Sequence, residues 1–100
     1  MVKVSIKKST TKGKKMTAIF FYNKERTKKK TVHFGSAGMD DFTKTGDEEQ
    51  KKRYLARHQK NENWNDYDTA GALSRWILWN KKSLSSSIAD YVKRFNLTLV

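Results

Sequence analysis

Residues 16–23, MTAIFFYN, decide the fold that the sequence predicts. The segment carries three consecutive aromatic residues, so at least one ring lies on each face if the chain is extended. Aromatic and β-branched side chains on both faces are typical of a strand that has neighbours on either side. We therefore expect a central strand here.

The flanking segments complete an antiparallel meander around this strand. Residues 2–7 alternate apolar and polar side chains with a period of two, which is typical of a half-buried strand. Residues 31–35, TVHFG, fit a short third strand. The turns fall at Gly13, which tolerates positive φ, and at the charged stretch 24–30.

Helical patterns fill most of the remaining chain. Residues 47–61 open with acids and close with bases, as the helix dipole favours, and Asp47 is expected to cap them. Residues 70–80 are apolar nearly all round, which predicts a buried central helix. Residues 84–95 repeat apolar side chains at helical spacing, and the tail LTLV at 97–100 could add an edge strand.

The predicted fold is α+β, with a three-stranded antiparallel meander followed by three helices packed on one face. We expect one domain over residues 1–100, because 100 residues are too few for two. Its parts are a basic β-meander at 1–35, a loop at 36–46 and a helical part at 47–96.

Composition excludes several classes of protein. With no cysteine, the chain can form neither a disulfide framework nor a thiolate zinc site. It has no signal-peptide pattern and no apolar run of the roughly 20 residues that span a bilayer. We therefore expect a soluble protein that is not secreted and has no membrane partner.

The positive charge is concentrated in the first third of the chain. Residues 1–34 hold eleven Lys or Arg residues and one acid, a net charge of +10. Residues 35–100 hold eleven Lys or Arg residues and nine acids, a net charge of +2. Such an uneven distribution of net charge along the chain is typical of a protein that binds a polyanion.

Ten of these cations are the predicted nucleic-acid-binding residues, in two groups at opposite ends of the meander. Only one of the eleven is Arg, and lysine neutralises phosphate without reading base sequence. The expected partner is nucleic acid, with double-stranded DNA as the expected form, bound without sequence specificity. The ten residues are Lys7, Lys8, Lys12, Lys14, Lys15, Lys24, Arg26, Lys28, Lys29 and Lys30.

The same charge is compatible with three different roles. A lysine-rich hairpin also discourages edge-to-edge aggregation, and an acidic protein or an anionic lipid surface could be the partner. Nor does the sequence distinguish DNA from RNA or set the oligomeric state.

The aromatic residues have two possible uses. Phe20, Phe21, Tyr22 and Phe34 could stack on unpaired bases, although a sheet covered by helices needs such rings for its core. Arg75 is the only charge in the apolar helix, so we expect an acid such as Asp66, Asp68 or Asp90 beside it.

A metal-dependent nuclease is the last alternative. His33, Asp40 and Asp41, with His58 or Glu48 close in space, could hold a divalent ion. Their spacing matches no known ligand pattern, and capping or hydrogen-bonding roles explain them as well. We therefore expect no enzyme activity, no catalytic residue, no metal and no cofactor.

Four segments resemble a known family: TVHFGSAGMDDFT, EEQKKRYLARHQKNENWND, TAGALSRWILWNK and SLSSSIADYVKRFNL. Together they resemble small basic proteins of unknown function from large nucleocytoplasmic DNA viruses, of the mimivirus and chlorella-virus kind. The likeness covers residues 31–97 and leaves out the lysine-rich start. It implies a viral gene product associated with the genome in the virion and in the infected host cell, in cytoplasm or nucleus, with virion proteins as further partners.

Overall fold

The computed structural model describes residues 2–100, which form an α+β fold of four strands and four α-helices. The strands are β1 (Lys3–Lys8), β2 (Lys14–Phe21), β3 (Lys29–Ser36) and β4 (Thr98–Leu99). The helices are α1 (Phe42–Thr45), α2 (Glu48–His58), α3 (Ala70–Leu73), which continues as a π-helix over Ser74–Leu78, and α4 (Leu84–Arg94). No helix within these residues is long and apolar enough to cross a membrane.

The predicted meander is present, but the sheet has a fourth strand. Its order is β3-β2-β1-β4, with β1 and β3 antiparallel to the central β2. The tail returns after α4 and pairs in parallel with β1, where Thr98 N donates to the Val2 carbonyl at 3.0 Å. The predicted fold had three strands, and the tail forms the additional edge strand that the sequence analysis considered possible. It pairs with backbone groups on the otherwise free edge of β1.

The predicted loop at 36–46 contains a helix, so that prediction was wrong for residues 42–45. Asp41 caps α1 by accepting from the Thr43 N–H, and Phe42 is buried. Gly46 ends the helix with φ 64°, a conformation that glycine adopts without steric cost. A helix of four residues is too short to show an amphipathic period in the sequence.

The helix α2 is capped as expected and lies at the surface. The Asp47 carboxylate accepts from the N–H groups of Glu49 and Gln50, and no residue of α2 is buried. It contacts the body through the ring of Tyr54, which stacks on Trp79 with centroids 4.3 Å apart, and through the Lys51 ammonium, which donates to the Asn80 carbonyl at 2.7 Å. Most of its surface remains in water.

The core lies between one face of the sheet and the two C-terminal helices. Val4, Ala18 and Phe20 from the sheet are fully buried against residues such as Leu73 and Tyr91. The Tyr91 hydroxyl donates to the Tyr67 carbonyl at 2.6 Å, which satisfies its polar atom. Residues of α3, of its π-helical continuation and of α4 belong to one cluster with these sheet residues.

Of the acids expected beside Arg75, Asp90 acts on it only through its charge, and the Asp90 carboxylate bonds Asn80 and Arg94 instead. Within residues 2–100 the Arg75 guanidinium forms no ion pair; it lies 4.1 Å from the Trp76 ring and 5.4 Å from the Trp64 ring. It also donates to the Trp79 carbonyl at 2.9 Å. Burial lowers the pKa of Arg75, and the electron-rich rings and carbonyl offset the cost of burying the cation.

Candidate nucleic-acid interface

The central strand β2 divides its side chains between two faces. Ala18 and Phe20 point into the core, so the alternate residues Thr17, Ile19 and Phe21 lie on the opposite face. Among the described residues, Ile19 and Phe21 are half-buried and lie outside the hydrophobic core cluster. We call this second side the open face.

The open face consists of nine residues in three rows across β1, β2 and β3. Successive rows lie about 7 Å apart, because two residues of a strand rise by that length. The strand register aligns Lys3, Phe21 and Lys29 in the first row, Ser5, Ile19 and Thr31 in the second, and Lys7, Thr17 and His33 in the third.

The open face carries positive charge without any acid. Lys3, Lys7 and Lys29 stand at its corners, and none of them forms an ion pair within residues 2–100. The His33 ring shares a hydrogen bond of 2.8 Å with the Thr17 hydroxyl, in the row that contains Lys7. The face can therefore attract phosphates without first breaking a salt bridge.

The turn between β2 and β3 places an arginine against Phe21. The Asn23 side chain bonds the Lys28 N–H at 3.1 Å and the Thr27 hydroxyl at 2.6 Å, which closes the turn. Arg26 has φ 59°, a left-handed conformation that is uncommon outside glycine. Its guanidinium carbon lies 5.2 Å from the centroid of the Phe21 ring.

Most of the predicted binding residues surround the open face at its two ends. Two are engaged by acids: the Lys15 ammonium bonds Asp41 at 2.5 Å, and the Lys30 ammonium lies 3.7 Å from Asp68. Eight form no ion pair in the described chain, namely Lys7, Lys8, Lys12 and Lys14 towards the β1–β2 turn, and Lys24, Arg26, Lys28 and Lys29 towards the β2–β3 turn.

Sequence reasoning missed Lys3 as a member of this surface. The alternation of β1 places residues 3, 5 and 7 on one face of the strand, so the signal was present. Lys3 lies directly across from Phe21.

Of the four aromatic residues that could stack on bases, only Phe21 lies on the open face. Phe20 and Phe34 are 0% and 1% exposed and belong to the core. Tyr22 packs against Phe20 and donates its hydroxyl to Asp68 at 2.6 Å.

Asp68 joins the meander to the helical part through Tyr22 and Lys30. Burial raises the pKa of its carboxyl, but the hydrogen bond from Tyr22 and the charge of Lys30 outweigh burial, so the pKa lies below its ordinary value of 3.8. Burial, and after it the same contact with Asp68, raise the pKa of Tyr22.

A depressed carboxyl pKa makes stability depend on pH. The contribution of Asp68 should be fully present above its unfolded pKa of about 4 and should be lost as the pH falls through its folded pKa. Urea unfolding can be measured from pH 7 to pH 2 for the wild type and for Asp68→Asn. The free energies of unfolding of the two proteins should differ at pH 7 and become equal as the pH falls. A difference between them that stays constant across this range would contradict the linkage.

The residues considered for the metal-site alternative are engaged separately, although three of them line one cleft. Asp41 caps α1, Asp40 lies 3.9 Å from the Lys44 ammonium, and His58 bonds Glu62 at 3.0 Å. A cleft of about 630 Å³ between β3, α2 and α3 is lined by Asp40, Asp41, His58 and Glu62. His33 lies elsewhere, on the open face. No three His, Cys, Asp or Glu residues of the described chain form a group that could hold a metal.

Comparison with known proteins gives one match. A model of a family of unknown function, DUF5754, matches residues 4–58, which run from β1 to the end of α2 and include the basic meander. Neither a search of curated proteins nor a search of solved structures gave a match. Because the family model covers more than half of the chain, the protein belongs to the DUF5754 family.

Proposed function

We propose that this protein binds nucleic acid without sequence specificity, through the open face and the two turns beside it. The observation that carries the proposal is the set of cations without acidic partners on the open face and at the two ends of the meander. Nine of the eleven Lys and Arg residues in the first third form no ion pair among residues 2–100. On a protein surface that is exposed only to solvent, such lysines and arginines usually have acidic residues beside them.

The chemistry of these cations favours phosphate contacts over base reading. A lysine ammonium is a point charge on a flexible stem, and it satisfies phosphate oxygens in many orientations. Arg26, the one arginine, lies against an aromatic ring instead of projecting alone as a rigid fork. Binding should therefore come mainly from the release of counterions and should be similar for all sequences.

The same surface could hold an acidic protein, such as a virion or core component. A place beside a packaged genome, in the virion or the infected cell, follows only from the resemblance of residues 31–97. A nuclease is the weaker alternative, since the acids and histidines it needs are separately engaged.

Replacing the three lysines of the open face should weaken binding and flatten its salt dependence. Each phosphate contact changes the slope of log K against log salt by about 0.7–0.9, so Lys3→Ser, Lys7→Ser and Lys29→Ser together should reduce the slope by about 2–3. At 0.1 M salt this corresponds to roughly hundredfold weaker binding. Fluorescence anisotropy with 24-nucleotide single strands and 24-bp duplexes, from 50 to 300 mM salt, measures both quantities.

A matched control removes the same charge elsewhere. Lys52, Lys60 and Lys93 are exposed lysines of the helical part without ion pairs in the described structure. Changing these three to serine should leave the slope nearly unchanged. If both triple variants lose affinity equally, net charge and not the open face governs binding, and a wild type with no salt-dependent affinity for either probe would end the proposal.

A further inference from the structure

We propose that the open face is a site for single-stranded nucleic acid, in which an unpaired base stacks on Phe21 and Arg26 while Lys3 and Lys29 hold the adjacent phosphates. This inference rests on the proposed function and names the form of nucleic acid that the face accepts. It differs from the duplex expected from the sequence.

The first argument is the position of Phe21. An aromatic ring on a water-facing strand surface contributes little to the core, and Phe21 lies outside the core cluster while its neighbour Phe20 is fully buried. The register places a lysine directly across from it on each side, Lys3 on β1 and Lys29 on β3. An aromatic ring between two unpaired cations can receive one nucleotide, with the base on the ring and the phosphates on the ammonium groups.

The second argument is the prearranged position of Arg26. The left-handed Arg26 is held in a turn closed by bonds of the Asn23 side chain and by backbone bonds, among them Arg26 N–H to the Asn23 carbonyl at 3.2 Å. Its guanidinium lies over Phe21 without any ligand. Guanidinium planes and aromatic rings are the two protein surfaces on which unpaired bases stack. A surface fixed in advance loses less conformational entropy on binding.

The third argument is the width of the sheet. In the row of Phe21 all four strands lie side by side, because Lys3 also pairs with Thr98 of β4. Four strands span about 14 Å before side chains are added, whereas the major groove is about 12 Å wide and admits a two-stranded ribbon. Since Phe21 is on an interior strand of this broad surface, a duplex can meet the lysines but cannot bring a stacked base to the ring.

Three probes of equal length separate stacking from charge: a thymidine 12-mer, an abasic 12-mer with the same phosphates, and a 12-bp duplex. At 100 mM salt the wild type should bind the thymidine strand roughly tenfold or more tightly than the abasic strand, the ratio expected for one stacked base. Phe21→Leu should remove this difference and leave the affinity for the abasic strand unchanged. Phe21→Trp should keep the difference, because tryptophan also stacks.

Each outcome decides between the two proposals. Equal affinity for the thymidine and abasic strands, or tighter binding of the duplex, would overturn the single-strand inference while leaving phosphate binding intact. No binding of any probe would overturn the proposed function as well. Thermal unfolding of Phe21→Leu checks that the variant is folded. If leucine is not tolerated, Phe21→Trp still tests the inference, because a folded Trp variant that lost the difference between the thymidine and abasic strands would contradict stacking at this position.

Discussion

Phe20→Ala should lower the free energy of unfolding by about 3–5 kcal/mol, the range for deleting a buried phenyl ring. The ring is 0% exposed and packs against Tyr22 and Tyr67, with centroids 6.4 and 5.7 Å away. A loss of this size is a large share of the roughly 5–15 kcal/mol that stabilises a typical domain. Urea unfolding followed by circular dichroism measures it.

The matched control is the next residue along the chain. Phe21→Ala removes the same ring from the open face, where it contacts Arg26 and lies outside the core cluster. We expect a loss of only about 1 kcal/mol, from the cation–π contact and the strand preference of phenylalanine. If the two variants were equally destabilised, Phe21 would be a core residue, and its assignment to a binding surface would fail.

This contrast shows what the sequence could and could not predict. The period of two in β1 and the aromatic run in β2 predict the meander and the central strand correctly. The same run cannot tell which of Phe20 and Phe21 faces the core, because both are equally apolar. The strand register decides which ring is buried. It places Phe20 opposite Val4 of β1, and both side chains belong to the core under the helices.

Two features were predicted only in part or not at all: the sequence suggested an edge strand in the tail but not its partner strand, and it did not indicate α1. The parallel pairing of β4 with β1 joins the two ends of the chain, and α1 forms around the capping bond of Asp41. The π-helix at Ser74–Leu78 has no pattern that separates it from an α-helix in sequence.

The geometry of the candidate site could likewise be predicted only in part. The cations were found by counting charge, since nothing nearby in sequence cancels them. A count of charges cannot show that Lys15 and Lys30 form ion pairs with acids 26 and 38 positions away in the sequence. Nor can it show that Lys3 lies directly across from Phe21 on the neighbouring strand. Pairing across the fold therefore decides which of the lysines are available to a ligand.

Asp41→Ala should be the second strongly destabilising change, with a loss of about 3–5 kcal/mol, as for breaking a buried ion pair by removing one partner. Asp41 is 4% exposed, and the side chain of Lys15 is 18% exposed. The carboxylate also accepts from the N–H and hydroxyl of Thr43, so the substitution removes the cap of α1 as well. Urea unfolding of Asp41→Ala and Asp41→Asn separates the two losses, since asparagine can still cap.

The adjacent acid is a matched control for this pair. Asp40 lies 3.9 Å from the Lys44 ammonium, and both side chains are more than half exposed. An exposed pair contributes about 0–1 kcal/mol, so Asp40→Ala should change stability little. Equal losses from Asp40→Ala and Asp41→Ala would show that the Lys15 contact contributes no more than a surface pair.

The ion pair also determines whether Lys15 belongs to the binding surface. Adding Lys15→Met to Asp41→Asn removes both charges, and this double variant should regain part of the stability, because an apolar side chain does not need a partner there.

A lysine held by Asp41 neutralises no phosphate, so the single change Lys15→Met should leave the salt slope of binding unaltered. If it instead reduced the slope by about 0.7–0.9, Lys15 would have to leave Asp41 in the complex, and the basic surface would extend to the first turn of α1.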